Sequence, residues 1–279
     1  MLRIMSNNQW WCDQNLPAWE EMGLDCSVTA RAPGFAVMLD ETAPDLIGLQ
    51  ECSANMAEAH MLNFQSKGLP YALLWGRDTP IIYRSDKFEV VECQSFVYSE
   101  DVPGLIGSFN NDKTKSYCVA VLREKATEKL LIFASTHLWW KSEDKASGYY
   151  QAGSDEARKY QLNLLMDKLD TLIEKYGCAA MLVGDLNALE SSPALGSAFE
   201  RGYVHARNMA TDFADGGHGM HYCYGDGFRP YEPLTPDHAI DHILVKNASG
   251  MRISRFERYN EEYYMMLSDH LPVYVDLEL

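Results

Sequence analysis

The sequence predicts an α/β fold in which two β-sheets pack together and are flanked by helices. Two observations predict it: short β-like runs recur in hairpin-like groups, and a few segments with helical spacing of apolar residues separate these groups. Hydrophobic residues make up 47% of the 279 residues, which is ample material for a large core. The sequence contains no internal repeat, low-complexity tract or linker. We therefore expect one domain over residues 1–279.

The first half of the chain is predicted to begin with a strand at Leu2–Ser6. A helix should follow with Pro33 near its start, because Phe35, Met38 and Leu39 share one helical face. The further elements expected in this half are a buried strand at 45–50, a helix from about residue 53, and strands at about 71–75, 80–84, 88–98, 116–123 and 129–136.

The clearest helix should run from about Ser154 to Tyr176, where apolar residues follow 3-and-4 spacing up to Gly177. The wholly apolar residues 179–184 predict a strand that is covered on both faces. Residues 201–238 have little periodicity and are predicted to form long loops, which in compact domains are usually functional. Closing strands are expected at about 240–245, 252–258 and 272–278.

Polar residues recur where the apolar strands end. Side chains at the ends of neighbouring strands can converge at one edge of a rigid sheet. Taken alone, a carboxylate after a strand is more readily explained as the cap of a following helix or turn. Five such endings are hard to explain by caps, so the set indicates a site. The endings supply Glu51, His137, Asp185 with Asn187, Asp241, and Asp269 with His270.

These residue types suit the hydrolysis of a phosphate ester. That reaction needs charge neutralised on the phosphate oxygens, an activated water and help for the leaving oxygen. Carboxylate and amide oxygens are suitable ligands for Mg²⁺ or Mn²⁺. A histidine paired with an aspartate is held in one tautomer. The formal charge of −16 repels polyanions, which favours a small molecule or a short nucleic acid over long DNA as substrate.

The order of the motifs LRIMSNN, DLIGLQE, IIYRSDKF, STH, GDLN, IDHILV and SDHLPV resembles the endonuclease/exonuclease/phosphatase superfamily, from Leu2 to Val275. The resemblance implies a four-layer α/β/β/α sandwich of two mainly antiparallel sheets flanked by helices, with the site at one edge. It also implies a metal-dependent phosphodiesterase or phosphomonoesterase in which water attacks phosphorus in line.

The resemblance further implies which residues hold the metal ion. Glu51 matches the principal metal-binding glutamate, and Asp269 matches an acidic residue close to the metal. Asn8 matches an asparagine that touches the phosphate or the metal shell. Trp10 stands where exonuclease-III-like members carry an aspartate, which argues against a direct metal contact from this strand.

Catalytic roles also follow from the resemblance. His137 matches a histidine that stabilises the phosphate or assists the leaving group. Asp185 and Asn187 match the pair that orients the attacking water and holds the scissile phosphate. Asp241 matches the aspartate that orients the last histidine, here His270. In deoxyribonuclease-I-like members the first histidine pairs with an acid. In this sequence Arg77 and Asp78 lie near the matching position, and the sequence does not show whether either of them faces His137.

Several features keep alternatives open. Trp139 and Trp140 follow the STH motif and are candidates for stacking a substrate ring, although packing is the usual role of a single tryptophan. His221 is expected to contribute to substrate recognition, but the spacing of His218 and His221 also suits a zinc hydrolase. A catalytically idle scaffold of the same fold is the remaining alternative.

Three further features concern compartment and membrane. The seven cysteines are scattered without a CxxC pair, which argues against a disulfide framework and favours a reduced interior. No apolar run approaches the roughly 18 residues of a membrane span. The N-terminal residues show no pattern of a signal peptide, so we expect a cytoplasmic protein without a membrane span, and we predict no protein partner.

Overall fold

The computed structural model describes residues 1–213 and 239–279 of the chain. The strands are β1 Leu2–Asn8, β2 Leu46–Gln50, β3 Tyr71–Leu74, β4 Ile81–Arg84, β5 Phe88–Val97, β6 Ser116–Glu124, β7 Leu130–His137, β8 Ala179–Asp185, β9 Val204–His205, β10 Asp212–Phe213, β11 Asp241–Lys246, β12 Arg252–Arg258 and β13 Val273–Glu278. The α-helices are α1 Pro17–Glu20, α2 Val28–Thr42, α3 Ala54–Ser66, α4 Ser154–Tyr176 and α5 Pro193–Glu200. Within these ranges, 3₁₀ helices lie at Ala206–Met209 and Glu262–Met266.

The strands form two sheets. One has seven strands in the order β10-β12-β13-β1-β2-β4-β3, and the other has six in the order β5-β6-β7-β8-β11-β9. Neighbouring strands are antiparallel except for the parallel pairs β1–β2, β7–β8 and β10–β12. The predicted arrangement of two mainly antiparallel sheets is confirmed.

The core is divided into layers by strand alternation, because successive side chains of a strand point to opposite faces. In β1, Ile4 lies in the apolar cluster between the sheets, whereas Met5 packs in the cluster under α2 and α3. In β7, Phe133 lies between the sheets and Ala134 packs in the cluster under α4 and α5. The helices therefore cover the two outer faces, which gives the order α/β/β/α. In the part of the chain that the structure describes, no helix combines the length and the apolar character that crossing a membrane requires.

Helix α2 differs from the sequence-based expectation at its start. It begins at Val28 with Ser27 as N-cap, so Pro33 lies inside the helix and not near its first residue. The side chain of Arg31 is buried in the first turn and donates hydrogen bonds to four backbone carbonyl oxygens from neighbouring loops. These contacts hold the first turn in place and offset the loss of the backbone hydrogen bond that Pro33 cannot donate.

The second half of the chain contains elements that periodicity did not predict. Helix α5 begins with Pro193 after the N-cap Ser192 and lies in a stretch too short to show a clear helical period. In its described part, the expected long loop at 201–238 contains β9, a 3₁₀ helix and β10. The two short strands form by pairing with distant strands, β9 with β11 and β10 with β12. Residues 214–238 lie outside the described structure.

Candidate active site

The strand topology brings the predicted polar residues to one edge of the two sheets. Asn8 ends β1, and Glu51 directly follows the parallel neighbour β2. His137 and Asp185 end the parallel strands β7 and β8 and lie opposite each other in register. Asp241 begins β11 and pairs with Asp185 across the antiparallel ladder. The carboxyl ends of parallel strands share an edge, so residues far apart in sequence become neighbours.

Asp185 is at the centre of this site and joins the two sheets. Its Oδ2 accepts a hydrogen bond of 3.0 Å from Nδ2 of Asn8, in the other sheet. Its Oδ1 accepts from the backbone N–H of Asn187 at 2.8 Å. Nε2 of His137 lies 3.4 Å from Oδ2, and Nε2 of His270 lies 3.7 Å from it. Burial raises the pKa of Asp185, and the two histidines partly oppose this effect.

Glu51 faces Asp185 from the edge of the seven-stranded sheet. Its backbone has a φ of 51°, a left-handed conformation uncommon for a non-glycine residue. The backbone N–H of Trp11 donates to Oε2 at 2.9 Å, and Nδ2 of Asn8 lies 3.4 Å from Oε1. Burial raises the pKa of this carboxyl, but nearby His137 and Lys115 and the Trp11 N–H outweigh it and lower the pKa to about 2. Glu51 is therefore ionised.

Asp241 and His270 form a buried pair. Nδ1 of His270 lies 2.7 Å from Oδ2 of Asp241, and the backbone N–H of His270 donates to Oγ of Ser268. The ring therefore turns Nε2 towards Asp185. Burial lowers the pKa of His270, but Asp241, Asp185 and Asp269 outweigh it and raise the pKa well above its ordinary value. The neighbouring His242 points to the other face of β11.

His137 has the acidic partner that the sequence left open. Its Nδ1 lies 3.1 Å from Oδ2 of Asp78, so the ring directs Nε2 to the centre of the site. Arg77 instead donates from Nε to the backbone oxygen of Lys113 at the surface.

Lys115 is a site residue that the sequence reasoning missed. Its Nζ lies 2.8 Å from Nε2 of His137, and the residue is only 6% exposed. The available signal was the register of the β6–β7 hairpin, which pairs Ser116 with His137 and so places the preceding lysine beside the histidine. The site thus carries a buried positive charge in addition to its carboxylates.

A cavity of about 420 Å³ opens above these groups. Its walls include Trp140, which is 38% exposed, and Tyr149. Trp139 is 1% exposed and packs against Phe109, with ring centroids 6.0 Å apart, so its ring faces the core and not the cavity. The expectation that Trp139 contacts substrate does not fit this placement, whereas Trp140, the other candidate, lines the cavity. The other expected contact, His221, lies with His218 outside the described residues.

The donor atoms of the site suit a divalent metal ion. Glu51, His137 and Asp185 offer ligand atoms within 4.8 Å of one another, and so do Asp185, Asp241 and His270. Asp269 lies at the rim, and burial, with Glu51 and Asp185 nearby, raises its pKa to about 7. Carboxylates crowded in this way are stabilised by a cation. The oxygen donors of Glu51, Asp185 and Asp269 are hard ligands of the kind that Mg²⁺ and Mn²⁺ take.

Comparisons with known proteins identify the family and the fold. The family model described as Endonuclease/Exonuclease/phosphatase family matches residues 29–270. An endonuclease/exonuclease/phosphatase from Bacteroides vulgatus superposes with a TM-score of 0.73 at 22% identity, covering 100% of this chain and 98% of the other. A mannosyl-6-phosphatase from Bacteroides thetaiotaomicron VPI-5482 gives 0.71 at 19% identity, covering 100% of both chains.

A further structural relative is TDP2 from D. rerio in complex with a single-strand DNA product, with a TM-score of 0.64 at 15% identity, covering 100% of this chain and 99% of the other. At these identities the likeness establishes the shared fold. No curated protein sequence matches the chain.

Proposed function

The chain belongs to the endonuclease/exonuclease/phosphatase family, and from that premise we propose that it is a divalent-metal-dependent hydrolase of phosphate esters. The observation that carries the proposal is the convergence on Asp185. Side chains from both sheets, Asn8 and His137 among them, lie within 3.4 Å of its Oδ2. Such a meeting of buried acids, amides and histidines has a high desolvation cost and is typical of catalytic sites.

In this proposal Glu51 and Asp269 would hold the metal ion, with Asn8 beside them. When bound, the ion neutralises charge on the non-bridging oxygens of the phosphate. Asp185 accepts a proton of the attacking water and so directs the oxygen lone pair at phosphorus, in line with the leaving group. Asn187 fixes Asp185 through its backbone N–H at 2.8 Å and helps to hold the scissile phosphate.

The two histidines act beside Asp185, with the Nε2 of each ring near its Oδ2. His270, held by Asp241 at 2.7 Å, donates from Nε2 to a phosphate oxygen as negative charge develops. His137, oriented by Asp78 at 3.1 Å, and Lys115 stabilise the leaving oxygen or the phosphate. These donors are already positioned in the protein, so little reorganisation is needed during the reaction.

The proposed substrate is a small phosphate ester or a short nucleic acid end, as a phosphomonoester or a phosphodiester. The formal charge of −16 disfavours long polyanions. One structural relative is a mannosyl-6-phosphatase, and another was solved with a single-strand DNA product. Both kinds of ligand are compatible with a cavity of about 420 Å³.

The test is hydrolysis of a panel of esters in the presence of Mg²⁺ or Mn²⁺: 4-nitrophenyl phosphate, bis-4-nitrophenyl phosphate, sugar phosphates, nucleotides and short DNA. Glu51→Gln should keep the fold but raise the metal concentration for half-maximal activity by about tenfold or more, because an anionic ligand becomes neutral. Glu58→Gln is the matched control, since it makes the same change at an exposed position of α3.

Three outcomes would contradict the proposal. Equal metal dependence of the wild type and Glu51→Gln would remove Glu51 from the metal site. A folded wild type that binds divalent ions but hydrolyses no ester would favour the idle scaffold. Stoichiometric zinc in protein purified without chelator would favour the zinc hydrolase that the histidine spacing suggests.

A further inference from the structure

A second cavity of about 540 Å³ adjoins the active-site cavity. The two share Trp11, Asp78, Asp112 and Thr114 as lining residues, so they form one continuous groove among the described residues. The second cavity extends from the Glu51–Asp185 centre towards the first turn of α3 and the loop after β3. A group esterified to a phosphate at the centre can therefore extend into this cavity.

Two indole rings line the second cavity and are strongly exposed. Trp11 is 57% exposed and Trp75 is 48% exposed. The backbone under each ring is fixed: the Trp11 N–H donates to Glu51, and the turn after Trp75 is closed by the Thr79 N–H bonding to the Gly76 oxygen at 3.1 Å. Large aromatic rings exposed on a rigid backbone beside a cavity are typical of sites that stack a flat face of a ligand.

The polar groups of the second cavity are mostly acceptors. Asp13 lines the cavity, and its Oδ2 accepts a 2.7 Å hydrogen bond from Asn55, which holds the carboxylate in place. Asp112 is exposed on the wall shared with the active site. Arg77 is exposed and also lines the cavity, and its Nε donates to the backbone oxygen of Lys113.

This charge balance selects the kind of ligand. Asp13, Asp78 and Asp112 outnumber Arg77, so the cavity repels a second phosphate group. Ionised carboxylates only accept hydrogen bonds, and they suit a ring that carries several hydroxyl donors. A nucleobase presents acceptor atoms as well as donors along its edge and would meet these carboxylates less favourably.

We infer that the second cavity is a subsite for the sugar ring of the ester: an uncharged, polyhydroxylated ring that stacks on Trp75 and Trp11 and donates hydroxyl hydrogen bonds to Asp13 and Asp112. This inference rests on the proposed function, because the phosphate at the Glu51–Asp185 centre sets the position of the ring. Trp75 and Asp13 are then specificity-determining residues.

The first test measures binding without catalysis. Methyl mannoside, methyl glucoside and adenosine are titrated into the wild type, Trp75→Ala and Trp75→Phe, and binding is followed by saturation-transfer NMR. The glycosides should bind to the wild type, bind roughly tenfold more weakly to Trp75→Ala, and regain affinity in Trp75→Phe, since a stacking surface returns. Leu62→Ala, which removes an exposed apolar side chain from α3, should change nothing. Trp75-dependent binding of adenosine without binding of the glycosides would overturn the sugar assignment.

The second test measures specificity. The ratio of kcat/KM for hexose 6-phosphates to kcat/KM for acetyl phosphate, which lacks a ring, should fall roughly tenfold in Trp75→Ala and Asp13→Asn. An unchanged ratio in both variants would overturn the subsite. If the wild type hydrolyses no phosphate compound with any divalent metal, the proposed function fails, and the NMR result alone decides whether the cavity binds sugars.

Discussion

The pair formed by Asp241 and His270 offers a demanding test of the site, because no local rule of sequence brings the two residues together. They are 29 residues apart, on β11 and in the segment before β13, yet Nδ1 of His270 lies 2.7 Å from Oδ2 of Asp241. Both side chains are buried. We predict that Asp241→Asn and His270→Ala have strongly non-additive effects on activity, because the aspartate acts through the histidine.

The expected magnitude follows from the geometry. A hydrogen bond to a charged group is worth about 1.5–3 kcal/mol. At about 1.4 kcal/mol for each factor of ten in rate, its loss in Asp241→Asn should lower kcat/KM by roughly 10- to 150-fold. His270→Ala should cost at least as much, since the donor itself is removed. Once His270 is alanine, Asp241 has no ring to orient, so adding Asp241→Asn should lower kcat/KM no more than about threefold below that of His270→Ala.

The assay is steady-state hydrolysis of the best ester found, at saturating metal, for the wild type, both single variants and the double variant. Folding is checked by near-UV circular dichroism, because an asparagine at a buried position can leave a polar group unsatisfied. Thermodynamic additivity, with the double variant losing the product of the two single losses, would refute the reasoning. It would mean that Asp241 acts on the substrate or the metal and not through His270.

Three more predictions concern the surroundings of the site. Lys115→Met should lower kcat/KM by roughly 100-fold, as loss of one preorganised donor does. Lys113→Met, at a nearby exposed position, is the control and should leave kcat/KM unchanged. Equal kcat/KM values for Lys115→Met and the wild type would contradict the role of Lys115. Burial lowers the pKa of His60 from 6.5 to about 4, so the stability it contributes is present above pH 6.5 and is lost as the pH falls from 6.5 towards 4. Between pH 7 and pH 5 the wild type should lose about 2 kcal/mol more in urea unfolding than His60→Leu, and parallel losses would refute this assignment. Gly184→Ala should destabilise the fold by about 1–3 kcal/mol, because a Cβ would lie 2.0 Å from a backbone oxygen of β7. The measurement is thermal unfolding. Gly196→Ala, with open space around the added Cβ, is the control and should not destabilise the fold.

The sequence predicted the centre of the site because strand ends are visible in a sequence. An apolar run followed by an acid or a histidine marks both the strand and the end at which the side chain lies, as for Glu51 and Asp185. The family resemblance supplied the order of these endings and the four-layer arrangement, and the structure brings Glu51, His137, Asp185, Asp241 and His270 to one edge. Their catalytic roles remain proposals.

The parts that the sequence did not predict depend on register and loop geometry. Lys115 belongs to the site only because Ser116 pairs with His137, and a one-residue shift of the hairpin would turn its side chain to the other face. Asp78 could be told from Arg77 only once the loop after β3 was seen. The two candidates Trp139 and Trp140 could be told apart only in the structure, where Trp139 is buried and Trp140 lines the cavity, because the sequence does not show which side of the segment faces the core.

The close approach of the two sheets beneath the site is the last requirement for its geometry. The 3.0 Å bond from Asn8 to Asp185 crosses between sheets, a distance that bulky apolar layers would not permit. At Gly48 of β2, an added Cβ would lie 2.4 Å from Val183 of β8, so glycine is needed for the strands to meet there. Beside it, Ser135 of β7 donates from Oγ to the oxygen of Leu49 at 2.7 Å. Small and hydrogen-bonding residues therefore replace the apolar filling at this edge, and the position of Asp185 depends on them as much as on its own strand.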